Sequence, residues 1–253
     1  MVDYELQGRV AVLTLNRPEA RNAVNGDVAK GMEAAIDRLE EDDDAWVAIL
    51  THNGPVFSAG ADLKAINAGQ VSELQTKRGG FAGFVQRERT KPVIAAVDGP
   101  AFAGGCEIAL ACDLIVASTQ AKFGLPEVKR SLVAAAGGLF RLPRVLPRPV
   151  ALEMIMTGDP IDAERAHQFG LVNDLCEPGQ TMERAQALAA RIVANAPLAV
   201  RKSREISLAS VDADDEVGWR LSGESMIELS KTEDFWEGPK AFIEKRDPVW
   251  KGR

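Results

Sequence analysis

The chain has 253 residues, of which 46% are apolar and 26% charged, with a formal net charge of −7. That length suits one large layered unit with a sizeable core and room for a smaller appendage. The acidic balance argues against nucleic acid as a partner, because phosphate-backbone binding needs a basic surface.

The elements follow in chain order. Residues 9–16, RVAVLTLN, alternate and are rich in Val, Leu and Thr, which predicts a strand ended by Asn16, Arg17 and Pro18. Val28, Met32, Ala35, Ile36 and Leu39 recur at helical spacing and predict a helix before the acidic run EEDDD. AWVAILTHNG reads as a second strand, and FSAGADLKAI as a turn leading into a short helix. Residues 67–89 are polar and punctuated by glycine, so helix fragments and a mobile loop are expected there. KPVIAAVDGPAFA reads as a third strand and turn, GGCEIALACD as a short buried helix, LIVAS as a fourth strand and AKFGLPEV as an extended piece limited by Pro126. This order favours parallel strands joined by crossover helices.

Beyond residue 137 the pattern turns helical, with Gly158 and Gly170 as helix stops and LVNDLC as a last strand. Everything after about residue 180 reads as helix. A boundary is expected just before Pro197, dividing residues 1–196 from a helical module over 197–253 whose Trp, Met and Leu residues suggest a face covered by another subunit. Cys106, Cys112 and Cys176 form no CxxC pair, so neither a disulfide framework nor a zinc site is expected. The N-terminus lacks the apolar core of a signal peptide, and no apolar run reaches the roughly 18 residues of a membrane span. A cytoplasmic protein without membrane partners is the expectation.

One carboxylate is out of place. Glu107 lies in GPAFAGGCEIALACDL, in a helix too apolar for the surface. Gly104 and Gly105 precede it. A helix starting there exposes unpaired N–H groups and the positive end of its dipole, and glycine lets a ligand oxygen approach closely. Ser58-Ala59-Gly60-Ala61 has the same character, so two strand ends could each supply a donor to one oxyanion. Glu127, 20 positions after Glu107, follows another turn, and one helix and one strand suffice to return the chain. Paired carboxylates divide acid and base roles when their proton affinities differ. Plainer readings stand beside these: Glu107 as a dipole-satisfying residue, Glu127 as a surface carboxylate, and FSAGAD as a tight turn. His52 and His167 read as structural. No GxSxG, GxxxxGK[ST] or GxGxxG occurs, which weakens hydrolase, P-loop and dinucleotide readings.

LNRPEARNAVN, FSAGADLK, AVDGPAFAGGCEIALACDLIVAS, FGLPEVKRSLVAAAGGLFRLPR and the closing EDFWEGPKAFIEKRDPVWKGR together resemble the crotonase family, the enoyl-CoA hydratases and isomerases, over nearly the whole chain. The resemblance implies an α/β fold, a spiral of ββα units followed by a C-terminal α-helical trimerisation region, assembled as a homotrimer or a dimer of trimers. It implies an acyl-CoA substrate, with coenzyme A present as part of the thioester and no permanently bound cofactor or metal. The oxyanion-hole N–H groups map onto Ala61 and Gly104, and the two hydratase carboxylates onto Glu107 and Glu127. Ala59 and Leu63 would line the CoA path, Ala20 lies where the family contacts the nucleotide end, and Lys251 would reach the CoA phosphate of a neighbouring subunit. Both acids favour hydration of a 2-enoyl-CoA. SLVAAAGGLFRLPR lacks the Pro-Gly pair common in hydratases and, with MIMTGDPIDAERAHQFGLV, is closer to the branch that includes carnitinyl-CoA dehydratases. Carnitinyl-CoA dehydration, enoyl isomerisation and a non-catalytic CoA-binding subunit are the alternatives.

Overall fold

The computed structural model describes residues 1–253. Alternating side chains organise its main sheet, which contains β1 (Val2–Gln7), β2 (Val10–Leu15), β3 (Val47–His52), β6 (Val93–Val97), β8 (Leu114–Ser118) and β11 (Asp174–Cys176), in that spatial order. β1 and β2 form an antiparallel hairpin; every later neighbour is parallel. Val47, Ile49, Ile94, Ala96 and Val116 pack on one face against Ala185 and Ala189 of a C-terminal helix. Ala48, Leu50, Val93, Ala95 and Val97 turn to the other face. This is the period of two expected of strands buried on both sides.

On that second face lies α1 (Gly26–Glu41), buried through Val28, Met32, Ala35, Ile36 and Leu39. Asn25 caps its start, accepting the Val28 N–H at 3.0 Å. Its far end is held by Lys91, only 1% exposed, whose Nζ donates to the carbonyls of Leu39 at 2.6 Å and Asp42 at 2.7 Å. After β3 come α2 (Leu63–Asn67) and then residues 67–89. Where helix fragments and a mobile loop were expected, the chain makes a 3-10 turn and a small antiparallel pair, β4 (Gln75–Thr76) with β5 (Gly80–Phe81). The acidic face of α1 anchors this segment: Glu33 accepts the Gly79 N–H at 3.1 Å, and Asp37 pairs with Arg78 at 2.5 Å.

A second, smaller sheet sets the site. β7 (Ala101–Phe102) and β9 (Lys122–Gly124) are parallel, and β10 (Ile161–Asp162) joins β9 antiparallel. Isolated bridges Ser58↔Ala101 and Val24↔Ala61 extend this layer towards the front of the chain. The segment 58–61 thus runs alongside the start of α3 (Gly104–Ala111). This repetition of long strand, short strand and helix is the ββα spiral.

The remaining helices are α4 (Gly138–Val145), α5 (Arg148–Thr157), α6 (Ala163–Gln168), α7 (Thr181–Val193), α8 (Pro197–Ser210), α9 (Asp215–Leu229) and α10 (Glu233–Glu244). Gly158, at φ 66°, ends α5, and Gly170, at φ 84°, follows α6. Arg204 of α8 reaches back, bonding Asp113 and the Arg89 carbonyl, each at 2.8 Å. Large apolar side chains of α9 and α10 stand in the open, Trp219 at 78% and Phe242 at 85% exposure. No helix is long and apolar enough to cross a membrane.

Candidate active site

The site is built where 58–61 meets α3, and the contact is too close for side chains. A Cβ on Gly105 would stand 2.1 Å from the Ser58 carbonyl oxygen, and one on Gly60 would stand 2.8 Å from the Gly104 nitrogen. Glycine is therefore required by backbone approach at these two positions. Ala103, just before α3, sits at φ 52°, ψ −129°, a conformation that costs a non-glycine residue of the order of 1–3 kcal/mol and is sustained only by its surroundings. Its own N–H is tied to the Gly124 carbonyl at 2.9 Å. The result is that neither the Gly104 nor the Ala61 N–H is spent on a backbone carbonyl of the chain.

Ala61 is held in place by polar side chains that the sequence alone did not single out for this role. Ser58 Oγ donates to the Asn22 carbonyl at 2.8 Å and accepts the Gly60 N–H at 3.2 Å. Asp62, 8% exposed, caps α2 through the Lys64 N–H at 2.8 Å and pairs with Arg17 at 2.7 Å. These buried groups satisfy one another, which fixes the loop.

Glu107 lies one turn into α3 and is 3% exposed. Its Oε1 accepts the Gly138 N–H from the start of α4 at 2.9 Å. Burial raises its pKa to about 7; the Glu127 charge adds to the rise, while the Gly138 and Ala136 N–H groups and the Arg141 charge oppose it. Arg141 is anchored beside it, donating to the carbonyls of Val85 at 2.6 Å and Ala136 at 3.2 Å. Glu127 stands on the 3-10 turn Pro126–Arg130, ended by Ser131 in the left-handed conformation at φ 57°. Burial raises its pKa as well, against a pull from its own backbone N–H and from Arg130. Its Oε2 is buried without a donor from the chain.

Both carboxylates line one cavity of about 600 Å³, mostly apolar, as do Ala59, Ala61, Leu63 and Gly104. Six of the residues singled out from the sequence therefore converge. Two do not. Ala20 ends the 3-10 turn Pro18–Ala20 beside the cavity, and it is the next residue, Arg21, that lines it. Lys251 lies in a separate cleft at the C-terminus, its Nζ paired with Glu233 at 2.6 Å. His52 and His167 make backbone bonds, accepting the Asp98 N–H at 3.1 Å and meeting the Val172 carbonyl at 2.9 Å, and neither lines the cavity.

Comparison with known proteins places the whole chain in one family. The model of the enoyl-CoA hydratase/isomerase family matches residues 5–253. The chain is 42% identical over 252 residues to a carnitinyl-CoA dehydratase of Salmonella typhimurium, covering 97% of this chain and 96% of the relative. Among solved structures it is similar to an enoyl-CoA hydratase from Mycobacterium tuberculosis, with TM-score 0.96 and 45% identity over 100% of this chain and 99% of the other. It is also similar to a carnitinyl-CoA hydratase from Mycobacterium avium, with TM-score 0.80 and 46% identity over 100% and 98%. The chain belongs to the enoyl-CoA hydratase/isomerase family, the crotonases.

Proposed function

We propose that this chain is an enoyl-CoA hydratase-type lyase that reversibly adds water to a 2-enoyl-CoA thioester, with coenzyme A as part of the substrate and no permanent cofactor. The observation that carries this reading is the convergence of two carboxylates whose pKa values burial raises, Glu107 and Glu127, with the unspent N–H groups of Ala61 and Gly104 in one apolar cavity. The two N–H groups receive the thioester oxygen, so enolate charge develops on a prepared atom. Each such donor contributes about 3–4 kcal/mol to the transition state. Glu107 and Glu127 hold the water between them. One accepts its proton as hydroxyl bonds to the β-carbon; the other delivers a proton to the α-carbon. Dehydration of a carnitinyl-CoA uses the same groups in reverse, and the 42% identical relative keeps it as the second reading.

Ala59 and Leu63 serve the CoA path, with Arg21 rather than Ala20 at the rim. We propose further that residues 197–253 form an oligomerisation region, since Trp219, Trp236, Phe242 and Ile243 present apolar surface that a second copy would cover. Lys251 would meet a CoA phosphate only after leaving Glu233. Loss of crotonyl-CoA absorbance on adding the protein tests the activity. Glu127→Gln abolishes it if both acids handle the water, and an unchanged rate contradicts the two-carboxylate mechanism.

A further inference from the structure

The cavity that holds the two carboxylates also holds a cation without an ion-pair partner. Arg130 lines the cavity one turn after Glu127, on the same face of the 3-10 turn, beside Leu132 and Val133. Its neighbour Lys129 points elsewhere and is paired with Asp159 at 2.5 Å. Arg17, Arg78, Arg87 and Arg89 are likewise each paired with a carboxylate. Arg130 has no carboxylate within ion-pair distance, Glu127 included, and is solvent-accessible. The other cation of the wall, Arg21, stands beside Ala59, whose N–H bonds the Arg21 carbonyl at 3.0 Å, on the side of the Ala61 donor. Of the two cations that line the cavity, Arg130 is therefore the one on the carboxylate side, where the acyl group must lie for its double bond to meet Glu127.

The wall offers nothing comparable to a positive acyl group. A quaternary ammonium is recognised by an aromatic cage or by a spare carboxylate. The cavity contains only Phe81 and Phe102 as aromatics, and its two acids are Glu107 and Glu127, which hold the reacting water. A planar guanidinium, in contrast, takes a carboxylate with two parallel hydrogen bonds. We infer that Arg130 selects the acyl group, so that thioesters ending in a carboxylate are favoured and thioesters ending in a trimethylammonium group are disfavoured. This inference rests on the reading of the cavity as an acyl-CoA site.

Saturated thioesters separate binding from hydration. Titration calorimetry of the full chain compares butyryl-CoA, glutaryl-CoA and γ-trimethylammoniobutyryl-CoA, which are neutral, anionic and cationic at the acyl end. The wild type is expected to bind the anionic thioester about tenfold more tightly than the cationic one, the scale of one charge-assisted contact at a partly exposed site. Arg130→Leu, at an exposed position, brings that ratio close to one, and Arg130→Glu inverts it. A wild type that binds the cationic thioester as tightly as the anionic one overturns the inference. So does a ratio that survives Arg130→Leu, which makes Arg130 a solvated surface cation only. Absence of binding by all three overturns the acyl-CoA reading and the inference with it. Retained binding without hydration of crotonyl-CoA overturns the hydratase mechanism alone, while the measured ratios still decide the role of Arg130.

Discussion

Glu107 and Glu127 share a cavity but stand in different kinds of structure. Glu107 is on a helix sealed inside the protein, tied to Gly138 and flanked by glycines that admit backbone and nothing larger. Glu127 is on a short turn at the rim, half-buried, between exposed Val128, Leu132 and Val133. The sealed side fixes geometry, holding the donor and the acid on one rigid element. The rim side leaves a buried Glu127 oxygen without a donor from the chain and sets it among exposed apolar side chains. On the proposed reading, α3 sets the chemistry and the turn after Pro126 the choice of substrate.

The largest effect comes from breaking the sealed side. Gly105→Ala drives a methyl group into the Ser58 carbonyl and displaces the Gly104 donor from Ala61. A fall of about 10²–10³ in kcat is expected, the cost of one oxyanion donor, with circular dichroism checking that the fold persists.

Next is the free-energy cost of keeping Glu107 inside. Its pKa in the folded protein is about 7, above the ordinary 4.5, so between those values the folded chain holds a proton that the unfolded chain has lost. Stability from this group is present below pH 4.5 and falls as pH rises to about 7, by about 3 kcal/mol in total. Glu107→Gln keeps the Gly138 bond and removes that loss. The variant melts at a higher temperature than wild type at pH 8, and the difference shrinks towards pH 5. The wild-type hydration rate, kcat/KM, declines as pH rises past about 7, when the shared proton leaves the pair.

Smaller still is Arg141→Met, which leaves the Val85 and Ala136 carbonyls without their donor and removes the charge that opposes the rise at Glu107. A loss of about 1–3 kcal/mol by urea denaturation is expected, together with an upward shift of the alkaline limb of the pH profile. The smallest is Asn25→Ala, at the start of α1. It removes the α1 cap and costs about 1 kcal/mol with no change in kcat.

The same contrast explains what could be read from the sequence. GGCEIALACD announced α3 because a lone acid in an apolar helix is rare, and the glycines beside it marked a close backbone approach. Strands such as VAILTH and VIAAV were legible from unbroken apolar runs. β1 was missed because Asp3, Glu5 and Gln7 face outward on an edge strand, and β10 because two residues carry no periodicity. Residues 67–89 read as loop since their order comes from Glu33 and Asp37, over 40 positions away for Arg78. Arg141, Ser58 and Asn22 were silent for the same reason: their partners are distant in sequence. The strain at Ala103 left no trace, because alanine is an ordinary residue everywhere but at positive φ. Arg130 lay in plain view within PEVKR, but only the cavity distinguishes it from Lys129.

The central claim is that Glu107 and Glu127 act as one unit on one water. Crotonyl-CoA hydration measured for Glu107→Gln, Glu127→Gln and the double variant tests it most directly. Each single change should lower kcat by about 10²–10⁴, and the double variant should be hardly slower than either single one, because removing one member already disables the pair. Losses that multiply in the double variant, or a single variant that retains the wild-type rate, would contradict the account.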